Sequence, residues 1–231
     1  MTAILLNNHH TMSTEKNNIQ RVFPSEPTLR RLPWYLAYVS LLRSRNIEYV
    51  SSTSISKDIN VDASQIAKDL SVLGIKGKTR IGYEVKALES ALREFLGFSC
   101  SHNAVMIGVG SLGSALIADT GLERFGLNIV AGFDINPAVV GTTIKNVPIF
   151  HIDELPSRVA AYRAGIAIVA VPVEVAQQTA DRAVDAGVRA LWNFTPFRIL
   201  ARPGIVIQNT SIYAHLAVMY NRLSSQSESR R

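Results

Sequence analysis

The feature that most constrains this chain is a strict alternation that begins near residue 104. Short apolar runs at 104–108, 128–133, 147–150, 166–171, 190–192 and 205–207 are interleaved with stretches of helical spacing at 112–117, 173–186 and 211–223. Strands separated by helices pair in parallel, and both faces of the resulting sheet are covered. Ligands of such a sheet bind outside the carboxyl ends of its strands. The alternation therefore predicts an α/β fold with a mostly parallel sheet, and it names the edge on which a site must lie. Asp153 is the expected cap of the helix after the third strand, and Gly187 the expected stop of the helix that follows Pro172.

The first strand runs directly into Gly108-Val109-Gly110-Ser111-Leu112-Gly113. A lone G-x-G-x-x-G is a weak signal, but a preceding strand and a following helix give each glycine a physical task. Gly108 permits a tight turn. Gly110 lets the backbone approach a pyrophosphate, and Gly113 lets the helix pack close to the strand. The first N–H groups of the helix have no partner inside it and face the phosphates. The second strand ends in Asp134-Ile135, an acid about 20 residues beyond the last glycine, where it grips an adenosine ribose. A carboxylate there repels a 2′-phosphate, so the predicted cofactor of this Rossmann domain is NAD(H) rather than NADP(H).

Two more strand ends fall on the same edge of the sheet, at Val171-Pro172 and at Asn193-Phe194-Thr195. Asn193 and Thr195 either face the nicotinamide end or are turn residues shaped by Pro196; the residues leave both readings open. Catalytic machinery is not legible. His9 and His10 fall in a polar N-terminal stretch, His102 in a connection, His151 after a strand, and His215 in the last helix, none with a partner at catalytic spacing.

The first hundred residues read differently. Pro33 suits the first turn of a helix over PWYLAYVSLLRSRN, with Trp34, Leu36, Ala37, Leu41 and Leu42 as its apolar face. Ser51 or Ser52 caps a short helix, which Asn60-Val61 ends. Asp62 starts a third helix with Ile66, Leu70 and Leu73 inward and Ser64, Gln65, Lys68 and Ser71 outward. Gly74, Gly77 and Gly82 then mark a hairpin or wing bearing Lys76, Lys78 and Arg80 with no acid among them. A short helix, a turn, a helix with a polar outward face and a basic wing are the parts of a winged helix-turn-helix that reads double-stranded DNA. Gln65 suits adenine and Lys68 guanine in a major groove. Ser64, Ser71, Lys76, Lys78 and Arg80 suit phosphates. Charge alone does not decide this, because basic runs are usually solvated faces.

Composition excludes several classes. The chain has 231 residues, 47% of them hydrophobic, a formal net charge of +6 and one cysteine, Cys100. That is enough for a real core and too few cysteines for a disulfide scaffold or a cysteine-based zinc site. No apolar run reaches membrane-spanning length, and the N-terminus lacks the apolar core of a signal peptide. A cytoplasmic protein without membrane contact is the expectation.

Taken together, the stretches RRLPWYLAYVSLL, VSSTSISKDINVDASQIAKDLSVLG, GKTRIGYEV, GVGSLGSAL, GLNIVAGFDINPAVVGTTI, VPIFHIDEL, ALWNFTPFRI and SIYAHLAVMYNRL resemble the Rex family of bacterial redox-sensing transcriptional repressors. The resemblance spans roughly Leu29 to Leu223. It implies a homodimer with an N-terminal winged helix-turn-helix, a C-terminal Rossmann domain and a last helix exchanged between subunits, whose Ile212, Leu216 and Met219 would meet the partner. It also implies a repressor, not an enzyme, that holds operator DNA in the apo or NAD+ form and releases it on binding NADH. The expected division is a flexible tail over 1–24, the DNA-binding domain over 25–100, the NAD(H)-binding domain over 101–210, the dimerisation helix over 211–223 and a second tail over 224–231. Two other readings are kept open, a small NAD-dependent oxidoreductase and a CoA-ligase-like nucleotide-binding module. Ala67 stands in the reading helix where many members carry Arg, and His215 in the last helix where many carry Asp.

Overall fold

The computed structural model describes residues 24–228. The chain divides into two compact units, 1–92 and 93–231.

The first unit is built from α1 (Glu26–Ser44), β1 (Tyr49–Val50), α2 (Ser52–Ile59), α3 (Ala63–Ser71), β2 (Tyr83–Glu84) and the start of α4 (Val85–Phe95). The Ser25 hydroxyl caps α1 by accepting from the Thr28 N–H, and Pro27 occupies the first turn. Pro33 therefore lies inside the helix and not at its start, which corrects the expected beginning. The phase of the helix shifts with it. Leu32, Tyr35, Leu36, Val39 and Leu42 are buried, while Trp34, Ala37 and Leu41 from the expected inner face are exposed. Ser51 caps α2, and Asn60 ends it in the left-handed conformation. The Asp62 carboxylate accepts from the N–H groups of Ser64 and Gln65 and starts α3. Ile55, Ile66, Leu70 and Leu88 complete this small core, and Leu73 is only half-buried. β1 and β2 pair antiparallel, Val50 opposite Tyr83.

The second unit carries β3 (His102–Ile107), α5 (Ser111–Ala118), α6 (Gly121–Arg124), β4 (Leu127–Asp134), β5 (Thr143–Ile144), β6 (Val147–His151), α7 (Leu155–Tyr162), β7 (Ile166–Val169), α8 (Ala176–Asp185), β8 (Ala190–Asn193), β9 (Val206–Asn209) and α9 (Ile212–Glu228). Among the described residues these strands form a seven-stranded sheet in the order β5-β6-β4-β3-β7-β8-β9, parallel except for β5. The chain winds outward from β3 through β4 and β6, then returns to the other side of β3 as β7. That reversal is the topological switch point where such sheets open a crevice. Successive residues of β3 serve opposite faces: Val105 and Ile107 enter the core with Leu155, Val159 and Ala180, and Ala104 and Met106 the core with Ile117 and Ile149.

One hairpin is new and three local expectations change. β5 belongs to a tight hairpin in which Lys145 and Asn146 both have positive φ, the geometry of a two-residue type I′ turn, without the usual Asn-Gly signature. Asp153 does not cap a helix. It sits in a one-turn 3₁₀ segment, Ile152–Glu154, whose N-terminus is capped by the His151 ring, and its carboxylate accepts from Arg182 Nη2 at 2.9 Å. The expected helix from 173 opens as a 3₁₀ turn over Val173–Val175 before α8. α9 runs to Glu228, so 224–228 are helical and not a tail; the tail expected over 1–24 lies outside the described residues apart from Pro24, as do 229–231. No described helix is long and apolar enough to cross a membrane.

Candidate functional site

In the second unit, the end of β3 and the glycine loop as far as Gly110, the N-cap of α5, form the floor of a cleft of about 370 Å³ at the switch point. The three glycines meet three different constraints. Gly108 has φ +92°, and a Cβ there would stand 2.5 Å from the Ala170 carbonyl oxygen at the end of β7. A Cβ on Gly113 would stand 1.9 Å from the Gly108 carbonyl oxygen, so α5 can begin this close to β3 only without a side chain. At Gly110 nothing lies within 4 Å of the Cβ position, because the space belongs to the open cleft. Gly110 caps α5 without a side-chain hydrogen bond, leaving the first N–H groups of the helix for a ligand.

Asp134 ends β4 and lines the same cleft. Its Oδ2 accepts from the Val109 N–H at 2.7 Å, and its Oδ1 from Ile135 N–H at 2.8 Å and Asn136 N–H at 2.9 Å. An ionised carboxylate has about four acceptor sites, so Oδ2 retains room for a ribose hydroxyl. The carboxylate thus also ties the glycine loop to the next strand, a role the motif did not announce. Val109, Ile135, Val171 and Pro172 line the cleft with it. So do Val139, Ile152, Val175, Gln178, Thr179 and Arg182, which the strand-end search missed. The last four lie at or in the crossover helix α8, whose inward face is legible only once β7 is known to neighbour β3.

A second, smaller cleft of about 250 Å³ opens beside the first and shares Ala170 and Val171 with it. Leu112, Phe194, Thr195 and Pro196 line it, together with Ile212 and Tyr213 from the root of α9. Among the described residues, no charged side chain lines it. Asn193 is not part of it. That side chain is fully buried, its amide donates to Phe197 O at 2.7 Å and Asn209 Oδ1 at 2.9 Å, and its oxygen accepts from Thr195 N–H at 3.0 Å. Asn193 is therefore engaged as a turn residue, one of the two roles its position left open. Thr195 borders the cleft, its hydroxyl donating to Phe197 O at 3.2 Å. Ser111 and Gly113 line neither cleft; one is exposed in the first turn of α5 and the other is beneath it.

The first unit presents a polar surface of another kind. Ser64, Lys68 and Ser71 are exposed along α3, with Ala67 between them. Gln65 is half-buried and points back, its Nε2 donating to Asp69 Oδ1 at 2.8 Å. That bond uses one of the two amide hydrogens and leaves Oε1 and the second hydrogen, so Gln65 braces Asp69 and keeps donor and acceptor capacity. Asp69 itself was not anticipated. Only 1% exposed, it accepts from Arg31 Nε at 2.6 Å and Nη2 at 2.9 Å, Tyr35 OH at 2.7 Å and Thr28 Oγ1 at 3.1 Å. Burial pushes its pKa up, but these hydrogen bonds with that of Gln65 outweigh it and hold the carboxyl down at about 2. Thr28, Arg31 and Tyr35 sit at i, i+3 and i+7 of α1, one helical face, and that spacing was the available signal.

The wing closes over residues 78–82, with Lys78 N–H donating to Gly82 O at 2.7 Å and Gly82 N–H to Lys78 O at 2.9 Å. Arg80 adopts φ +65° at its tip. Lys76, Lys78 and Arg80 are exposed. Lys78 Nζ donates to the Tyr49 hydroxyl at 2.6 Å and lies 4.7 Å from the Tyr49 ring centroid, which ties the wing to β1. α9 exposes Ile212, Val218, Met219 and Leu223, each near half, and half-buries Leu216.

Similarity to known proteins follows the same division. Residues 25–71 match the family model "Putative DNA-binding protein N-terminus", and residues 100–197 match "CoA binding domain". The redox-sensing transcriptional repressor Rex of Bacteroides fragilis is 55% identical over 214 residues, covering 93% of this chain and 97% of that protein. The Rex protein of Treponema denticola is 40% identical, covering 86% and 96%. Among solved structures, RSP in complex with β-NAD+ and operator DNA is 33% identical, with a TM-score of 0.85 over 90% of this chain and 96% of the other. RSP in complex with β-NADH is 32% identical, with a TM-score of 0.81 over 90% and 98%.

Proposed function

The chain belongs to the Rex family of redox-sensing transcriptional repressors, and from that premise we propose how its two units act. It is a regulator and not an enzyme. As a cytoplasmic homodimer it holds operator DNA while apo or loaded with NAD+, and releases it when NADH fills the cleft at the switch point.

The observation that carries this reading is the division of the cleft. The first part suits the ADP half of the dinucleotide. Asp134 Oδ2 meets a ribose hydroxyl, the open floor at Gly110 admits the pyrophosphate, and the free N–H groups of α5 offset its charge. The second part suits the nicotinamide, whose oxidation state is the signal. Its lining of Leu112, Val171, Phe194, Pro196, Ile212 and Tyr213 has no carboxylate to compensate a pyridinium cation. Moving a charge into such a lining costs free energy that the neutral dihydronicotinamide does not incur. The lining therefore favours NADH over NAD+.

Release follows from where that lining ends. Ile212 and Tyr213 form the root of α9, so a ring seated against them bears on the helix. The exposed apolar side chains of α9 are the surface a second subunit would cover, with Ile212, Leu216 and Met219 in the interface. A dimer reads two half-sites about 34–36 Å apart or at multiples of that spacing, and a small rotation at the interface breaks the match. In this dimer Lys68 reads a base from α3, and Ser64, Ser71, Lys76, Lys78 and Arg80 hold phosphates. NADH acts only through its preference for the released arrangement, so operator DNA weakens NADH binding by the factor by which NADH weakens DNA binding. A mobility shift on promoter DNA titrated with NADH and with NAD+ tests the reading. Retention with NAD+ and release with NADH are expected; equal retention with both refutes it.

A further inference from the structure

We propose that adenine nucleotides without a nicotinamide, ADP foremost, bind the first cleft and antagonise NADH without themselves releasing DNA. The inference rests on the preceding reading and adds a regulatory ligand to it.

The polar anchors are unevenly shared between the two clefts. The Asp134 carboxylate and the open backbone at Gly110, the N-cap of α5, belong to the first. The same cleft supplies an apolar slot for a purine from Ile135, Val139, Ile152 and Val175, with Gln178 at its side. The second cleft offers mainly apolar contact, its polar side chains being Tyr213 and Thr195, whose hydroxyl already donates to Phe197 O. A ligand that ends at the pyrophosphate therefore keeps the carboxylate and backbone anchors of the first cleft and loses the mainly apolar contacts of the smaller one.

Occupancy and signal separate on the same line. ADP reaches Val171, where the clefts meet, but has nothing to place against Ile212 and Tyr213. A ligand without differential contact to the moving element shifts no equilibrium, however well it binds. ADP thus excludes NADH while leaving DNA bound, and the protein reports NADH against the adenine-nucleotide pool as well as against NAD+.

Calorimetry of ADP with the full-length protein, beside fluorescence anisotropy of labelled operator titrated with NADH at fixed ADP, tests this. ADP is expected to bind, to leave the operator bound when added alone, and at roughly nine times its own Kd to move the NADH midpoint about tenfold upward. Tyr213→Ala is expected to weaken NADH more than ADP, and Gly110→Ala to weaken both. Absence of ADP binding, an unmoved NADH midpoint, or release of operator by ADP alone would each overturn the proposal while leaving NADH-driven release intact. NADH alone is titrated first; its failure to release operator would defeat the reading of the preceding subsection.

Discussion

Both units present a short helix to a ligand, and they fix it by opposite means. α3 is held from behind by charge: one buried carboxylate, Asp69, gathers Thr28, Arg31, Tyr35 and Gln65. α5 is held by the absence of side chains, with Gly113 resting on the Gly108 carbonyl and Gly110 left bare toward the cleft. The difference follows from what each helix meets. A helix that reads a rigid duplex needs its outward side chains, so its anchor lies on the inward face. A loop that wraps a pyrophosphate needs its backbone exposed, so its anchor is the absence of side chains.

The largest expected effect breaks the first half of that comparison. Asp69→Ala leaves Arg31 and the Tyr35 hydroxyl without their acceptor, and removing one partner of a buried ion pair costs about 3–5 kcal/mol. Denaturant unfolding should show a destabilised first unit and lost operator binding, while calorimetry shows NADH binding retained. Loss of NADH binding as well would mean the two units do not fold independently. Acid gives the same carboxylate a second signature. Its folded pKa, about 2, lies below the unfolded 3.8. The Asp69 contribution is therefore complete above about pH 4 and lost as pH falls from there toward 2. That is about 2 kcal/mol in all, readable as a fall in unfolding midpoint that Asp69→Asn does not show.

A smaller effect sharpens the second half. Gly113→Ala and Gly110→Ala add the same methyl group three residues apart. At Gly113 it meets a backbone carbonyl and must move α5, an overpacking cost of about 1–3 kcal/mol in stability. At Gly110 it meets nothing in the chain, so the melting temperature should hold while NADH affinity falls about tenfold, or ~1.4 kcal/mol. Calorimetry beside thermal unfolding separates the two. Equal loss of stability from both would remove the case that Gly110 is bare for a ligand.

What the residues disclosed in advance follows the same contrast. The glycine loop, Asp134 and the parallel sheet were legible because each depends on short-range spacing. The phase of α1 was not. Its inward face includes Thr28 and Arg31, polar residues that belong there only because Asp69 lies across from them, about 40 positions along the chain. Trp34 and Leu41 are exposed although their helical spacing places them on the inner face. Asn193 is the other case: a polar residue at a strand end left a ligand and a turn role open, and its amide donates to Phe197 and Asn209. A pairing distant in sequence set the phase of α1 and a local turn engaged Asn193, and one-dimensional periodicity carries no record of either.

The smallest expected effect separates anchoring from reading on the DNA side. Lys76 and Lys68 are both exposed cations of the first unit, one on the wing and one on α3. If Lys76 meets only phosphate, Lys76→Ala releases about one fewer counterion, and the slope of log affinity against log salt should become shallower by ~0.9 on every sequence tested. If Lys68 meets a guanine edge, Lys68→Ala should cost ~1–3 kcal/mol on the preferred operator and little on an operator altered at that base. Lys78 falls between them, because its ammonium already donates to Tyr49, and a phosphate must share or displace that bond. Lys78→Ala should thus change the slope as Lys76→Ala does and also loosen the wing, seen as faster amide exchange over residues 78–82 in the free protein. Competition binding at several salt concentrations, on matched and altered operators, distinguishes the three. Identical behaviour of all three lysines would mean that the wing and α3 contribute only charge, and that sequence is read elsewhere.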